Sequence, residues 1–121
     1  MAVTIGLWFA GVVGVGIVLI GARFFAQPAA ASALFGVPAA ADDAYLATKG
    51  VRDIASGLFI GLLILHGQPR LVGWLILVAT LIPIVDGLIV LRHHGPYLAA
   101  FGIHWATAIF MLMSAGLLLL G

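Results

Sequence analysis

The stretch LVGWLILVATLIPIVDGLIVLR, residues 71–92, is apolar apart from Thr80, Asp86 and the closing Arg92. A helix of about 20 such residues is long enough to cross the hydrocarbon core of a membrane, which is about 30 Å thick. Comparable apolar runs lie at about residues 3–22, 45–66 and 97–120. Because the four runs use most of the 121 residues, the sequence predicts an all-α protein, a four-helix transmembrane bundle that forms one integral membrane domain over residues 1–121.

The composition excludes most classes of soluble protein. Hydrophobic residues make up 64% of the chain and charged residues 7%, against roughly 25% charged residues in soluble domains. A net charge of +1 gives no basis for binding nucleic acid, and the absence of cysteine excludes disulfides and thiolate chemistry. The first apolar run lacks a basic start and is longer than the core of a signal peptide, so we expect it to be retained as a helix.

The connections between the runs predict the topology. HGQPR (66–70) and HHGP (93–96) are short turns, so each joins two antiparallel neighbouring helices. The connection 24–44 is long and contains Pro28 and Pro38, which predicts an interfacial loop or a cover over one mouth of the bundle. With four crossings, both termini and the turn 66–70 share one side, called here the terminus side. The connections 24–44 and 93–96 share the other side, called here the loop side.

Basic residues at the ends of the runs indicate the orientation. Arg23 and Arg92 flank runs on the loop side, whereas Arg70 flanks one on the terminus side. The positive-inside rule therefore predicts that the connections 24–44 and 93–96 are cytoplasmic.

An internal similarity relates the second and fourth runs. YLATKGVRD (45–53) aligns with YLAAFGIHW (97–105), with Tyr, Leu, Ala and Gly matched. A true repeat predicts two parallel-repeat helical hairpins with Arg52 and His104 in equivalent places. Chance similarity between segments rich in Ala, Leu and Gly predicts no such symmetry, and the sequence leaves both interpretations open.

Three charges, Lys49, Arg52 and Asp53, interrupt the second apolar run. The apolar segment that follows, 54–65, covers only about 18 Å at 1.5 Å per residue. The hydrocarbon core is about 30 Å thick, so the charged turns must enter it. Charged side chains at that depth are costly and usually face a protein interior or a wet cavity, where they mark a functional site.

The helical faces predict that these charges point inward. At 100° per residue, Lys49 and Asp53 share one stripe of the second helix, and Arg52 lies on its edge. Gly57 and Gly61 form a GxxxG pair, which predicts that the same side packs closely against another helix.

Two other runs place an ionisable group at a similar height. Measured from the terminus side at 1.5 Å per residue, Asp53, Asp86 and His104 all lie about 20–25 Å up their helices. Pro83 cannot donate a hydrogen bond to the carbonyl of Ala79, which predicts a kink and a free acceptor one turn below Asp86. These features predict a wet pocket in the loop-side third of the bundle.

The residues of this layer suit acid–base chemistry. Asp53 and Asp86 have carboxylates that can serve as general acid or base, and His104 can relay a proton, so these three are the candidate catalytic residues. Lys49 and Arg52 can bind an anionic or carbonyl group and stabilise developing negative charge. Further candidate ligand-binding residues on the loop side are Arg92, His93, Tyr97 and Trp105.

The leading functional interpretation is a membrane-embedded pocket that binds a lipophilic small molecule with a polar head. The same residues suit an isomerase, a cyclase or a hydratase, and the sequence leaves open whether the protein is an enzyme. Three alternatives also stay open: an accessory subunit of a larger membrane complex, including a redox complex; a small proton-coupled carrier; and a purely structural layer of interhelical ion pairs.

The expected partners follow from the same pattern. They are the lipid bilayer, the lipophilic ligand, and either a second copy of the chain in a homodimer or a membrane partner subunit. We predict no cofactor and no metal site, because no HxxxH or ExxH spacing occurs.

Three segments, KGVRDIASGL (49–58), IPIVDGLIVL (82–91) and GIHWATA (102–108), resemble a family of small four-helix membrane proteins of unknown function from bacteria and fungi, related broadly to DoxX-like proteins. The most specific part is the Lys-Gly-x-Arg-Asp run at 49–53. The resemblance implies a four-helix bundle, and the bacterial inner membrane is the expected location. The DoxX-like relatives imply an association with membrane redox or quinone chemistry, which bears on the accessory-subunit alternative.

Overall fold

The structure is a computed structural model that describes residues 1–121 and contains helices without any β-strand. The helices are α1 (Ala2–Ala26), α2 (Pro28–Phe35), α3 (Ala44–Leu65), α4 (Pro69–Ala79), α5 (Leu81–Arg92), a π-helix (Leu98–Trp105) and α6 (Ala106–Leu120). The π-helix continues directly into α6, and the two together are called here the last helix. The prediction of an all-α protein is therefore confirmed, and the long helices begin and end within a few residues of the predicted runs.

Proline, glycine and one aspartate set several helix ends. Pro28 and Pro69 stand at the first turns of α2 and α4, where the missing backbone N–H has no helical partner to lose. The Asp43 side chain accepts a hydrogen bond from the Tyr45 N–H at 2.9 Å and caps α3. Gly36 ends α2 with φ of 109°, a left-handed conformation that glycine adopts without a steric penalty.

The third apolar run is one helical stretch with a break in its middle. α4 ends at Ala79 and α5 begins at Leu81, two residues before Pro83. The Thr80 side chain donates a hydrogen bond to the Ile76 carbonyl at 2.8 Å and so satisfies a group at the break. The interruption is the one that proline chemistry predicts at this place.

Contacts between the long helices fix their directions. Gly6, near the start of α1, and Gly73, near the start of α4, both lie against Leu118 at the end of α6. At the opposite end, Gly21 lies against Gly50, near the start of α3. The two termini and the turn between α3 and α4 therefore lie at one end of the molecule, which is the topology that the connection lengths predict.

Glycines bring α1 and α3 into direct backbone contact. A Cβ added to Gly21 would lie 2.6 Å from the Gly50 carbonyl oxygen, and one added to Gly57 would meet the carbonyl of Gly14. Gly61 has nothing within 4 Å of a Cβ built on it, so the predicted role of Gly57 and Gly61 as a packing pair is wrong in its second member. The packed glycines are instead seven residues apart on each helix, because two nearly antiparallel helices meet along a seam that recurs every two turns.

The terminus-side half of the molecule is a dry apolar core. The Ser114 hydroxyl, which is fully buried there, donates a hydrogen bond to the Gly6 carbonyl at 3.0 Å and leaves no free polar group. The buried residues of this cluster are Ala10, Ile60, Val72, Ile76, Met111, Ala115 and Leu118.

Three helical stretches are long and apolar enough to cross a membrane: Ala2–Ala26, Pro69–Arg92 and Leu98–Leu120. Large apolar side chains such as Trp8 and Leu19 are exposed on their outer faces, a surface suited to contact with lipid. α3 does not join the three, since its loop-side half carries the polar residues of 48–56.

The connection 24–44, predicted as an interfacial loop or a cover over one mouth of the bundle, contains the helix α2 and folds over the loop-side end of the long helices. The Ser32 hydroxyl accepts a hydrogen bond from the Ala39 N–H at 3.0 Å, which turns the chain back after α2. Phe35, at the end of α2, packs against two buried clusters, one with Phe24 and Leu46 and the other with Val90, Ala99 and Ala100. The helix within this connection was not predicted, because alanine-rich PAAASALF has high helix propensity but is much shorter than the four apolar runs.

Candidate functional site

A cavity of about 500 Å³ lies in the loop-side half of the molecule, beneath α2. Its walls come from α1, α2, α3, the α4–α5 break and the last helix, and 15 of its 24 lining residues are hydrophobic. The ionisable residues that line it are Arg23, Lys49, Asp53, Asp86 and His104. The structure thus brings together the three candidate catalytic residues and one of the candidate cations.

Lys49 and Asp53 form an ion pair on one wall of the cavity. The Lys49 Nζ lies 2.7 Å from the Asp53 Oδ2, and the two residues are one helical turn apart on α3. The same ammonium group lies 4.8 Å from the ring centroid of Phe24 and 5.2 Å from that of Phe35. A carboxylate and two aromatic faces therefore satisfy the charge of Lys49.

Asp86 faces the cavity from α5 without a partner. Its carboxylate makes no hydrogen bond or ion pair within the protein, although its residue is only partly exposed. Lys49, Asp53 and His104 are ionisable residues that line the same cavity as Asp86. Asp86 is thus the carboxylate of the cavity that is free to bind a ligand or exchange a proton.

His104 holds the cover helix α2 against the last helix. Its Nε2 lies 2.7 Å from the Phe35 carbonyl oxygen and donates a hydrogen bond to it. The His104 and Phe35 rings also pack edge to face, with centroids 4.3 Å apart. When the imidazole is neutral, this hydrogen bond assigns the proton to Nε2 and leaves Nδ1 as an acceptor.

The backbone around His104 is a π-helix rather than an α-helix. Its wider turn places Ala99, Ala100 and His104 on the buried side, and π-helical turns are often found at functional sites. The sequence has no evident signal for this geometry, since Ala, Phe and Gly at 99–102 are equally compatible with an α-helix.

The cavity opens sideways between α1 and the last helix. These helices meet near the terminus side, where the Phe9 and Phe110 rings stack with centroids 4.6 Å apart, but α1 does not pack against the π-helix. The exposed residues among those that line the gap are Val12, Ile20, Arg23, Ala106 and Thr107. The opening therefore faces the direction in which lipid would surround the helices.

A comparison with protein families decides what the chain is. A family model described as a domain of unknown function (DUF4267) matches residues 14–118. The chain belongs to this family. No curated protein and no solved structure matches the chain. The matched range of the DUF4267 domain includes all five ionisable residues of the cavity, and since the family is uncharacterised, its function must be argued from the site.

Arg52 does not reach the cavity of this DUF4267 domain, contrary to expectation. Its residue is exposed on the outside of α3, beside the buried Asp53. α3 makes most of its contacts with α1, so a residue on the edge of the polar stripe falls on an open flank. The alignment that made Arg52 equivalent to His104 is not reflected in their surroundings, because His104 is buried.

The other candidate ligand-binding residues also lie outside the cavity. Arg92 and Tyr97 are exposed at the loop-side rim, and the Nδ1 of the exposed His93 lies 3.0 Å from the Ile89 carbonyl of its own helix. Trp105 packs against Gly87 on α5 and donates a hydrogen bond to the Ile84 carbonyl at 3.1 Å, so it joins the two helices on their other side. None of the four is among the residues that line the cavity.

Arg23 is the cavity cation that sequence reasoning missed. It was identified only as a flanking charge of the first run, yet Val12, Gly16 and Ile20 precede it at helical spacing, and all of them line the cavity. This periodicity is the signal that places Arg23 on the cavity side of α1. Its position at the exposed rim lets its guanidinium reach the lipid headgroup region.

Proposed function

We propose that this protein binds a lipophilic small molecule, with the polar head of the ligand beside Asp86 and its apolar part along the cavity wall. The observation that carries the proposal is one cavity of about 500 Å³ in which residues of α3, α5 and the last helix present ionisable groups. Ligand sites typically occupy 300–1,000 Å³ and combine an apolar lining with a few convergent polar groups.

The sideways opening supports a ligand that enters from the bilayer. Val12 and Ile20 form its apolar edge on α1, and the hydroxyl of Thr107 stands on the opposite edge. A molecule dissolved in lipid can pass this edge without crossing the dry terminus-side core. α2 closes the loop-side end of the cavity, so direct access from water is restricted there.

The arrangement also supports acid–base chemistry on the bound molecule, as in an isomerase, a cyclase or a hydratase. Asp86 is the free carboxylate and takes the role of general acid or base. Asp53 is engaged by Lys49, and His104 by the Phe35 carbonyl, so these residues position their neighbours. Nδ1 of His104 remains available to relay a proton.

The membrane setting belongs to the same proposal. α3 is the fourth crossing, with its polar stripe turned to the cavity, so that the protein is a four-helix bundle broadly similar to DoxX-like proteins. Its location is the bacterial inner membrane with the loop side in the cytoplasm, and a homodimer is its assembly. The excess of loop-side arginines, Arg23 and Arg92 against Arg70, supports this orientation.

Two alternatives are less well supported. A purely structural polar layer would require ion pairs between helices. The ion pair in the structure, Lys49 with Asp53, lies within α3 and links no two helices, which weakens this alternative. The dry terminus-side core, from Ala10 to Leu118, offers no polar path for a proton-coupled carrier within one chain.

The proposal is tested by identifying lipophilic compounds that co-purify with the protein in a mild detergent. Mass spectrometry of the extract should show a compound enriched with the wild type and lost from Asp86→Asn. Asp42→Asn, which removes an exposed carboxylate far from the cavity, is the matched control. Equal enrichment in a folded Asp86→Asn variant, or a wild type that carries bulk membrane lipid alone, would contradict the proposal.

A further inference from the structure

We infer that the ligand of the cavity carries a positively charged hydrogen-bond donor, as a lipophilic amine does in its ammonium form. This inference rests on the proposed function and adds the chemical class of the polar head. It comes from counting which donors and acceptors of the cavity are already used within the protein.

The unused polar groups of the cavity are acceptors. Asp86 offers a carboxylate with no partner. Ala79, one turn away, lines the cavity and has a carbonyl to which Pro83 cannot donate a hydrogen bond. Neutral His104 adds Nδ1, because its Nε2 donates to Phe35.

The donors beside Asp86 are already engaged, and Arg23, which has no partner within the protein, lines the cavity at its exposed rim. Lys49 donates to Asp53 at 2.7 Å and lies over two aromatic rings. The hydroxyl groups of Ser56 and Thr107 donate to carbonyls of their own helices, at 2.8 and 2.6 Å. An anionic head beside Asp86 would thus meet an unpaired carboxylate while Lys49 is already bound to Asp53, contrary to the expectation that Lys49 and Arg52 bind such a group.

The charges favour the same class of ligand. Lys49 forms its ion pair with Asp53, which leaves the carboxylate of Asp86 without an ion-pair partner in the inner cavity. Arg23 stands at the exposed rim of the cavity. Charges in a membrane interior are stabilised by pairing, so an ammonium group completes the set, whereas a carboxylate would add a second unpaired negative charge.

The experiment compares three probes with the same tail: decylammonium, decanol and decanoate. Each is equilibrated by dialysis with phosphatidylcholine liposomes that contain the protein, and binding to protein-free liposomes is subtracted. We expect saturable binding of decylammonium at one per chain, weaker binding of decanol and no saturable binding of decanoate. Asp86→Asn should weaken decylammonium binding at least tenfold, which corresponds to about 1.4 kcal/mol, while Asp86→Glu and the control Asp42→Asn retain it.

The outcomes separate the inference from the proposed function. Saturable binding of decanoate or decanol without decylammonium would overturn the inference and leave the lipophilic cavity in place. Saturable binding of none of the three would overturn both. Unchanged decylammonium binding by a folded Asp86→Asn variant would also overturn the inference, and the comparison of probes on the wild type holds even if that variant fails to fold.

Discussion

Replacing Gly21 by alanine tests the contact that positions the polar stripe of α3. The new Cβ would lie 2.6 Å from the Gly50 carbonyl oxygen, against 3.4 Å for ordinary van der Waals contact, so α1 and α3 must move apart by about 0.8 Å. The obstacle is backbone, since the Ile54 nitrogen is also only 2.9 Å away, and it cannot turn aside as a flexible side chain can.

The cost is estimated from overpacking. Extra methyl groups in a well-packed interior cost about 1–3 kcal/mol, while exchanging glycine for alanine within a helix favours the folded helix by about 1 kcal/mol. Gly61→Ala in α3 is the matched control, because it has the same gain in helix propensity and nothing within 4 Å of the new Cβ. The difference between the two variants therefore isolates the clash, at about 1–3 kcal/mol.

The assay is reversible unfolding in mixed micelles of dodecyl maltoside and SDS, followed by far-UV circular dichroism. Gly21→Ala should unfold at a lower SDS fraction than the wild type, and Gly61→Ala at the same or a higher fraction. If Gly21→Ala proves as stable as Gly61→Ala, the two helices do not meet at Gly21, and the placement of Lys49 and Asp53 derived from this contact is wrong.

Three further predictions concern the polar groups. In the same assay, Asp53→Asn should destabilise the protein by about 2 kcal/mol, since removing one partner of a buried ion pair costs about 3–5 kcal/mol and the Lys49 side chain is 31% exposed. Asp86→Asn should change stability by no more than about 0.5 kcal/mol, because no partner is lost, and an equal loss in both variants would show that Asp86 is paired. His104→Ala should speed hydrogen exchange in α2, measured by mass spectrometry, because α2 loses the 2.7 Å hydrogen bond to the Phe35 carbonyl. The control His93→Ala should leave this exchange unchanged, since His93 contacts only a carbonyl of its own helix. Unchanged exchange in His104→Ala would refute the role of His104 in holding α2.

The depth of the polar groups was predictable from the sequence because depth along a helix depends only on the number of residues. Asp53, Asp86 and His104 were placed in one layer by counting, and all three line one cavity. Pro83 was likewise enough to predict a break, because the missing N–H is a property of the residue itself.

Direction around the helix axis was less predictable. Arg52 and Asp53 are neighbours in sequence, yet Arg52 is exposed to solvent and Asp53 is buried, with 8% of its surface exposed. The difference arises because α3 packs mainly against α1 and leaves another of its faces open. The sequence of residues 49–53 does not indicate which helix lies next to each face.

Helix length, turn residues and rise per residue are local properties. The order of the residues is therefore enough to predict long apolar helices, most of their ends, and the shared level of the ionisable groups. Which of those groups meet depends on how the helices pack together. Lys49 is paired with Asp53 beneath the ring of Phe35, and Asp86 has no partner. The arginine at the cavity rim is Arg23 and not the predicted Arg52. The physical reason is that a cavity is the space that several helices leave between them, so its lining depends on how their faces pack and not on any one segment.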